Sequence, residues 1–229
     1  MAVSPLAVVV TGFLGGLLSL DRTAFGQFLL SRPLVSASLT GAILGCPYQG
    51  AFVGVSLELL FLSSLPVGSF IPHHPLYPSL VAVAAFVALD PSRNGWEMVP
   101  PAILFALPSV WADRLVEDIW RRSNDGLLQR AEALIRLEKI RLARALHLTA
   151  ILRAFVLNTA AILLCAATLS GLAVLVLRSI PSLAGALALV GMAPLLVGLA
   201  GLSAAKVKGR GWLGFAGGLA VGLLFWSVI

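Results

Sequence analysis

Charge is what this chain has least of. Asp, Glu, Lys and Arg make up 11% of its 229 residues while 59% are hydrophobic, and mean hydropathy is +0.99; an ordinary soluble domain carries about 25% charged residues. A soluble fold of this size has nowhere to bury so much apolar surface, and a lipid bilayer is the solvent that fits. Cysteine is nearly missing too. Cys46 and Cys165 each stand in an apolar stretch without a second Cys or His at metal-ligand spacing, so they read as packing residues. There is no Gly-rich phosphate loop of the Walker pattern and no nucleophile elbow with its acid and base partners, and nothing resembles a catalytic centre. The first apolar run, Ala2 to Leu20, lacks the basic start and small-residue cleavage site of a signal peptide and is followed by Asp21 and Arg22, which reads as a retained span.

The charge that is present is unevenly placed. A formal net charge of +6 could point to nucleic acid, but the basic residues form no face interleaved with aromatics. They gather between Asp113 and Arg153 and in the run Lys206, Lys208, Arg210. Beside apolar spans, such clusters mark cytoplasmic loops. Spans are expected over 150–177, 183–204 and 211–229, because crossing a core of about 30 Å takes roughly 20 helical residues. With both basic segments inside, Arg178–Pro181 turns outside and the C-terminus lies outside.

The N-terminal half breaks that rule. From Pro33 to Ala88 the chain is nearly all apolar, yet Gly45-Cys46-Pro47, Pro66 and Pro72-His73-His74-Pro75 interrupt it. Proline removes a backbone donor and clashes with the preceding turn. The pieces 34–45, 49–65 and 76–89 are mostly too short to cross alone, which predicts re-entrant or broken helices around a polar site; ordinary spans kinked by proline are the plainer alternative. Residues 112–149 are the most polar stretch, with apolar residues recurring at helical spacing between Arg and Glu. They are expected to form amphipathic helix lying on the cytoplasmic surface or docking a partner, or else a solvated helix with no partner. The expectation is therefore an all-α polytopic membrane protein of one domain, 1–229: broken helices with the site over 1–111, charged helices over 112–149 and three spans over 150–229.

An ionisable group inside an apolar span costs on the order of 2.5–3.5 kcal/mol and asks for a reason. Glu58, in Val55-Ser56-Leu57-Glu58-Leu59-Leu60, has no basic residue within a helical turn. Its carboxylate could accept from sugar hydroxyls or, protonated, bond a neighbouring helix. Asp21, Arg22, Gln27, Ser31 and Arg32 form a polar elbow between two apolar runs, suited either to polyhydroxyl recognition or to an interfacial turn. His73 and His74 supply too few ligands for a metal and read as a substrate-contacting or exposed loop. Glycines at small-xxx-small spacing, Gly41 with Gly45, Gly50 with Gly54 and Gly214 with Gly218, predict close helix packing and an oligomer.

Leu20-Asp21-Arg22-Thr23-Ala24-Phe25, Gln27, Ser31-Arg32-Pro33-Leu34, Leu39-Thr40-Gly41, Leu44-Gly45, Leu57-Glu58-Leu59 and Leu65-Pro66-Val67-Gly68-Ser69-Phe70-Ile71-Pro72 resemble the IIC membrane subunits of the mannose/fructose/sorbose class of bacterial sugar phosphotransferase systems. The rest of the chain resembles them more loosely. The resemblance implies a multi-pass protein of the bacterial inner membrane, paired with a IID subunit, binding a hexose for phosphorylation by IIB, which is charged by IIA. No cofactor is implied, and the phosphorylating residue belongs to IIB. By position, Asp21, Gln27, Arg32 and Glu58 are carried over as substrate-site candidates, and His73 joins them as a residue of the substrate-contacting loop. The chain departs from many relatives at Cys46 and at His73-His74, where they carry acids, which bears on the substrate and on transport itself. A non-transporting scaffold derived from that family and an unrelated small-solute channel stand as alternatives.

Overall fold

The computed structural model describes residues 3–24, 26–61, 74–90 and 92–189, together with 213, 216, 217 and 220. The Pro66–His73 stretch, most of the span expected over 183–204 and all but isolated residues of 211–229 lie outside the described residues. Those described form eight α-helices and one short 3-10 turn, Trp96–Met98, with no strand among them. The helices are α1 (Pro5–Thr23), α2 (Pro33–Leu44), α3 (Pro47–Phe61), α4 (Leu76–Leu89), α5 (Val99–Ala106), α6 (Ser109–Arg136), α7 (Ile140–Ser179) and α8 (Pro181–Leu189).

Proline sets where several of them start. Pro5, Pro33 and Pro47 each occupy the first turn of a helix, where the missing N–H costs nothing. Between α2 and α3 the chain reverses within two residues. Gly45 takes the left-handed conformation, φ 79°, while Gly45 N–H donates to Ala42 and Cys46 N–H to Gly41 at 2.7 Å. This double bond closes the last turn of α2, and Pro47 opens α3 directly behind it. At about 1.5 Å per residue neither arm spans a 30 Å core. The pair is a helical hairpin folded back on itself, as the short apolar pieces predicted.

Its arms touch through glycine. A Cβ on Gly50 would lie 2.6 Å from the Ala37 carbonyl oxygen and 2.8 Å from the Gly41 Cα, and one on Gly54 would meet the Leu34 Cα at 2.8 Å. The close approach pairs Gly41 with Gly50 across the hairpin, whereas the sequence spacing had paired glycines along one helix.

Next to the hairpin runs α4, all fourteen of whose residues are buried. A helix apolar on every side belongs in the middle of a bundle, and α4 is wrapped by α1, α2, α3, α5, α6 and α7. Its few polar groups are satisfied by neighbours: Ser79 Oγ lies 2.8 Å from Ser36 Oγ, and Tyr77 donates to Asn158 Oδ1 at 2.9 Å. Gln49 donates to the Arg93 carbonyl in the loop after α4 at 3.0 Å. Contacts at both ends therefore set α2 parallel to α4.

Among the described residues two helices, Pro5–Arg22 and Ile140–Ser179, are long and apolar enough to cross a membrane, and a third candidate is the pair Trp96–Ala106 and Ser109–Arg136, bent by 41°. α1 lies antiparallel on α7, with Gly12 against Leu163 and Gly16 against Thr159 and Phe155. Away from this contact α1 exposes Leu6, Val9 and Leu17, with Phe13 at the margin, half-exposed and edge-on to Phe155 of α7. This stripe suits lipid or a second membrane chain.

The span expected over 150–177 is only the later part of α7. At 40 residues the helix is about 60 Å long, twice the hydrocarbon thickness. α6 packs antiparallel on its first part, with Trp120 Nε1 donating to the Ala150 carbonyl at 3.4 Å, and the two join through Leu137–Lys139. Because α7 continues unbroken through residue 150, its first ten residues cannot lie flat on the membrane surface. They continue the axis of its apolar part, paired with α6, which favours a helix pair standing off the apolar bundle over one lying flat.

The hairpin packing gives a direct expectation. Adding a side chain to a helical glycine recovers up to about 1 kcal/mol of propensity, but overpacking against fixed backbone costs about 1–3 kcal/mol or more. Gly50→Val should lower the unfolding temperature of the detergent-solubilised protein, whereas Gly126→Ala, with open space around its Cβ position, should raise it slightly.

Candidate functional site

The charged side chains Asp21, Arg22, Arg32, Glu58, Asp113 and Glu117 gather at one end of the bundle, where α6 begins. The elbow between α1 and α2 is built on Asp21. Its carboxylate is buried and accepts from Phe28 N–H at 2.6 Å and Ser31 N–H at 3.3 Å. These bonds fold the chain tightly enough that Gln27 and Leu29 adopt left-handed φ values of 53° and 65°. Such backbone costs roughly 1–2 kcal/mol per non-glycine residue and persists only where neighbours hold it. Arg32 follows at the start of α2, and its Nη1 lies 2.9 Å from Glu58 Oε1 on α3. Glu58 Oε2 accepts from Leu34 N–H at 3.4 Å. Placed so, the carboxylate answers both the guanidinium and the positive end of the α2 dipole.

A second charged group joins α1 to α6. Arg22 Nη1 donates to both oxygens of Asp113, at 3.2 and 3.1 Å, and Nη2 donates to Glu117, which also accepts from Arg121 Nε at 2.6 Å. Asp113 and Glu117 are four residues apart on one helix, so both face α1. Their side chains are 3% and 7% exposed, and that of Arg22 is 18% exposed. Two carboxylates facing two guanidiniums leave no net charge in this wall. Asn158 completes it from α7, holding Tyr77 by its oxygen while its amide donates to the Ala154 carbonyl at 2.8 Å. His74, ahead of α4, accepts from Leu76 N–H through Nδ1 at 3.3 Å. It lies within the electrostatic reach of both Arg22 and Arg32, so the start of α4 connects the two groups. Among the described residues no set of three His, Cys, Asp or Glu side chains is placed to hold a metal.

Short helices folded back on each other, a buried central helix and a polar patch at one end of the bundle are features that transporters with broken helices share. Residues 4–224 match the family model described as PTS system sorbose-specific IIC component. The chain belongs to that family. It is thus a membrane component of a sugar phosphotransferase permease. A search of curated proteins returns no match.

Within this IIC chain the sequence-derived candidates have different surroundings. Asp21 is engaged by the elbow's backbone. Gln27 is exposed at the tip of that elbow. Arg32 and Glu58 are brought together, with side chains 45% and 24% exposed. His73 lies outside the described residues. No basic residue lies within a helical turn of Glu58, and the partner it has, Arg32, is 26 residues away in the sequence, beyond the reach of a local search. Arg22 likewise does more than end a helix, since its partners are on α6.

Asp113, Glu117, Tyr77 and Asn158 were absent from the expected site. Two signals pointed to them: acids four apart where α6 leaves the apolar stretch, and a lone Asn in the apolar run 150–177. Removing one member of a buried ion group costs about 3–5 kcal/mol, because the opposite charge is left stranded. Arg22→Met should therefore destabilise the protein by an amount in that range in detergent unfolding, and adding Asp113→Asn and Glu117→Gln should restore most of the loss.

Proposed function

We propose that this chain is the sugar-translocating IIC subunit of a mannose-type phosphotransferase permease in the bacterial inner membrane, binding a hexose that a IIB partner phosphorylates. A IID subunit shares the membrane with it, and IIA recharges IIB. The positive-inside rule supports the orientation. Lys206, Lys208 and Arg210 share the cytoplasmic side with the charged α6–α7 projection, so the elbow and the Arg32–Glu58 pair belong to the cytoplasmic half.

The observation that carries this reading is the Arg32–Glu58 pair, partly open at the foot of a helical hairpin folded back at membrane depth. A hexose offers neutral hydroxyls that both donate and accept. A carboxylate beside a guanidinium answers both kinds of group without leaving a net charge in low dielectric. Gln27, exposed on the adjacent elbow, adds an amide able to do the same. Asp21 supports the site by holding the elbow's shape. Phosphorylation at the cytoplasmic mouth would trap the sugar, and the chemistry needs no nucleophile from this chain.

Glu58→Gln keeps the shape and loses the charge. Hydrogen bonds to charged groups contribute about 1.5–3 kcal/mol, so sugar uptake should fall by about 10–100-fold, with membrane yield and assembly unchanged. Uptake of labelled hexose by cells expressing the complete permease measures this. Uptake equal to that of the unmodified chain would remove Glu58 from the site and favour the scaffold reading.

A further inference from the structure

The α6–α7 projection has a surface that its own fold leaves uncovered. Its seam is narrow: Leu127 is buried and Leu134 and Leu146 are half-buried, which is one stripe per helix. Around the tip Ile135, Leu137, Ile140 and Leu142 are 54–63% exposed. Interspersed with them, residues 122–149 carry six basic and three acidic side chains, a net charge of +3. Among the described residues none of these nine takes part in an ion pair. Unpaired arginines beside exposed leucine and isoleucine have the composition of a protein-binding patch rather than of a solvated helix.

Two classes of anionic partner fit such a surface, and geometry separates them. Ten residues of continuous helix lead from Ala150 to Ile140, about 15 Å along the axis. The headgroup zone adds only about 5–8 Å to each side of the core. The tip thus stands clear of the headgroups, where a soluble protein reaches it and lipid does not.

We propose that the α6–α7 tip is the docking surface for the IIB phosphocarrier, which would bring to it a face combining acidic and apolar side chains. This rests on the permease reading given above. Size agrees with it. A globular domain of about 150 residues has a radius of gyration near 15 Å, so a carrier seated against the tip still reaches the elbow. The flank of the projection leads there directly, through Arg121 and Glu117 to Arg22. Charge agrees as well, since a phosphoryl group adds roughly −1.5 to −2 to its carrier, and the charged form would bind the basic tip more tightly than the spent form.

The test uses the full chain with its IID subunit in nanodiscs of zwitterionic lipid, and purified IIB of the same system as the probe. Two variants are compared with the unmodified chain: Arg136→Glu/Arg141→Glu/Arg144→Glu, and Leu137→Ser/Ile140→Ser. Unchanged melting temperatures establish that both are folded. The proposal expects unmodified binding to weaken with salt and each variant to bind IIB at least about tenfold less tightly, while both still bind hexose. Glu58→Gln should show the converse, normal IIB binding with impaired sugar handling, so that failure of the permease reading is seen separately. IIB binding of equal strength to the unmodified chain and both variants would overturn the proposal. So would no detectable binding to the unmodified chain at low salt, or a tip that instead associates with vesicles containing anionic lipid or with a second copy of this chain.

Discussion

Helices that end inside a bilayer have no water to receive their terminal backbone groups, and the arrangement of this chain follows from that constraint. α2, α3 and α4 are too short to reach both surfaces, so their free N–H and carbonyl groups must find partners within the protein. The polar side chains supply them. Glu58 takes the Leu34 N–H at the start of α2, His74 takes the Leu76 N–H at the start of α4, and Asp21 takes two N–H groups from the elbow. At the far end of α2, Gly45 allows the backbone to satisfy itself. Residues that look functional because they are polar in an apolar sequence are thus also what permits the broken fold.

Burying those side chains creates a second demand, for neutrality. A lone guanidinium at the depth of Arg22 would be prohibitive, and Asp113 alone would be no better. Together with Glu117 and Arg121 they balance, and the balance fixes α1 against α6. The cluster adds little net stability over an apolar replacement of equal shape, since desolvation offsets most of the attraction. What it contributes is specificity of register. The glycine contacts of α1 with α7 specify the same register, since a Cβ at Gly12 or Gly15 would collide with the Leu163 or Ile162 side chain, and a shift of one turn would also separate Arg22 from both its carboxylates.

What the sequence revealed and what it concealed divide along the range of the interaction. Proline and glycine act on their immediate neighbours, so the breaks at Pro33, Gly45-Cys46-Pro47 and Pro75 were legible and the helices fall close to the expected 34–45 and 76–89. The resemblance in the N-terminal half was equally local, and the family match over 4–224 bears it out. Arg32–Glu58 and Arg22–Asp113 join residues 26 and 91 positions apart, and no periodicity carries that information. The continuity of 140–149 with the following span was hidden for a different reason. Hydropathy marks where the composition changes, near residue 150, but the backbone of α7 runs through that point without a break, so a change of composition in the sequence is not a change of direction in the fold.

The Arg32–Glu58 pair shows why a fully partnered charge can still read a neutral ligand. An unpaired carboxylate would attract a cation before it bound a sugar. Pairing with Arg32 opposes that, because the guanidinium neutralises the carboxylate's charge toward bulk ions. The pairing still leaves hydrogen-bonding capacity over, since the bonds made to Arg32 and Leu34 use only part of what a carboxylate accepts and a guanidinium donates. A hydroxyl pair of the proposed hexose can then add to the existing bonds instead of replacing them. Binding in this manner leaves no stranded charge when the sugar departs, and a carrier that must release its cargo on one side of the membrane needs that property as much as it needs affinity.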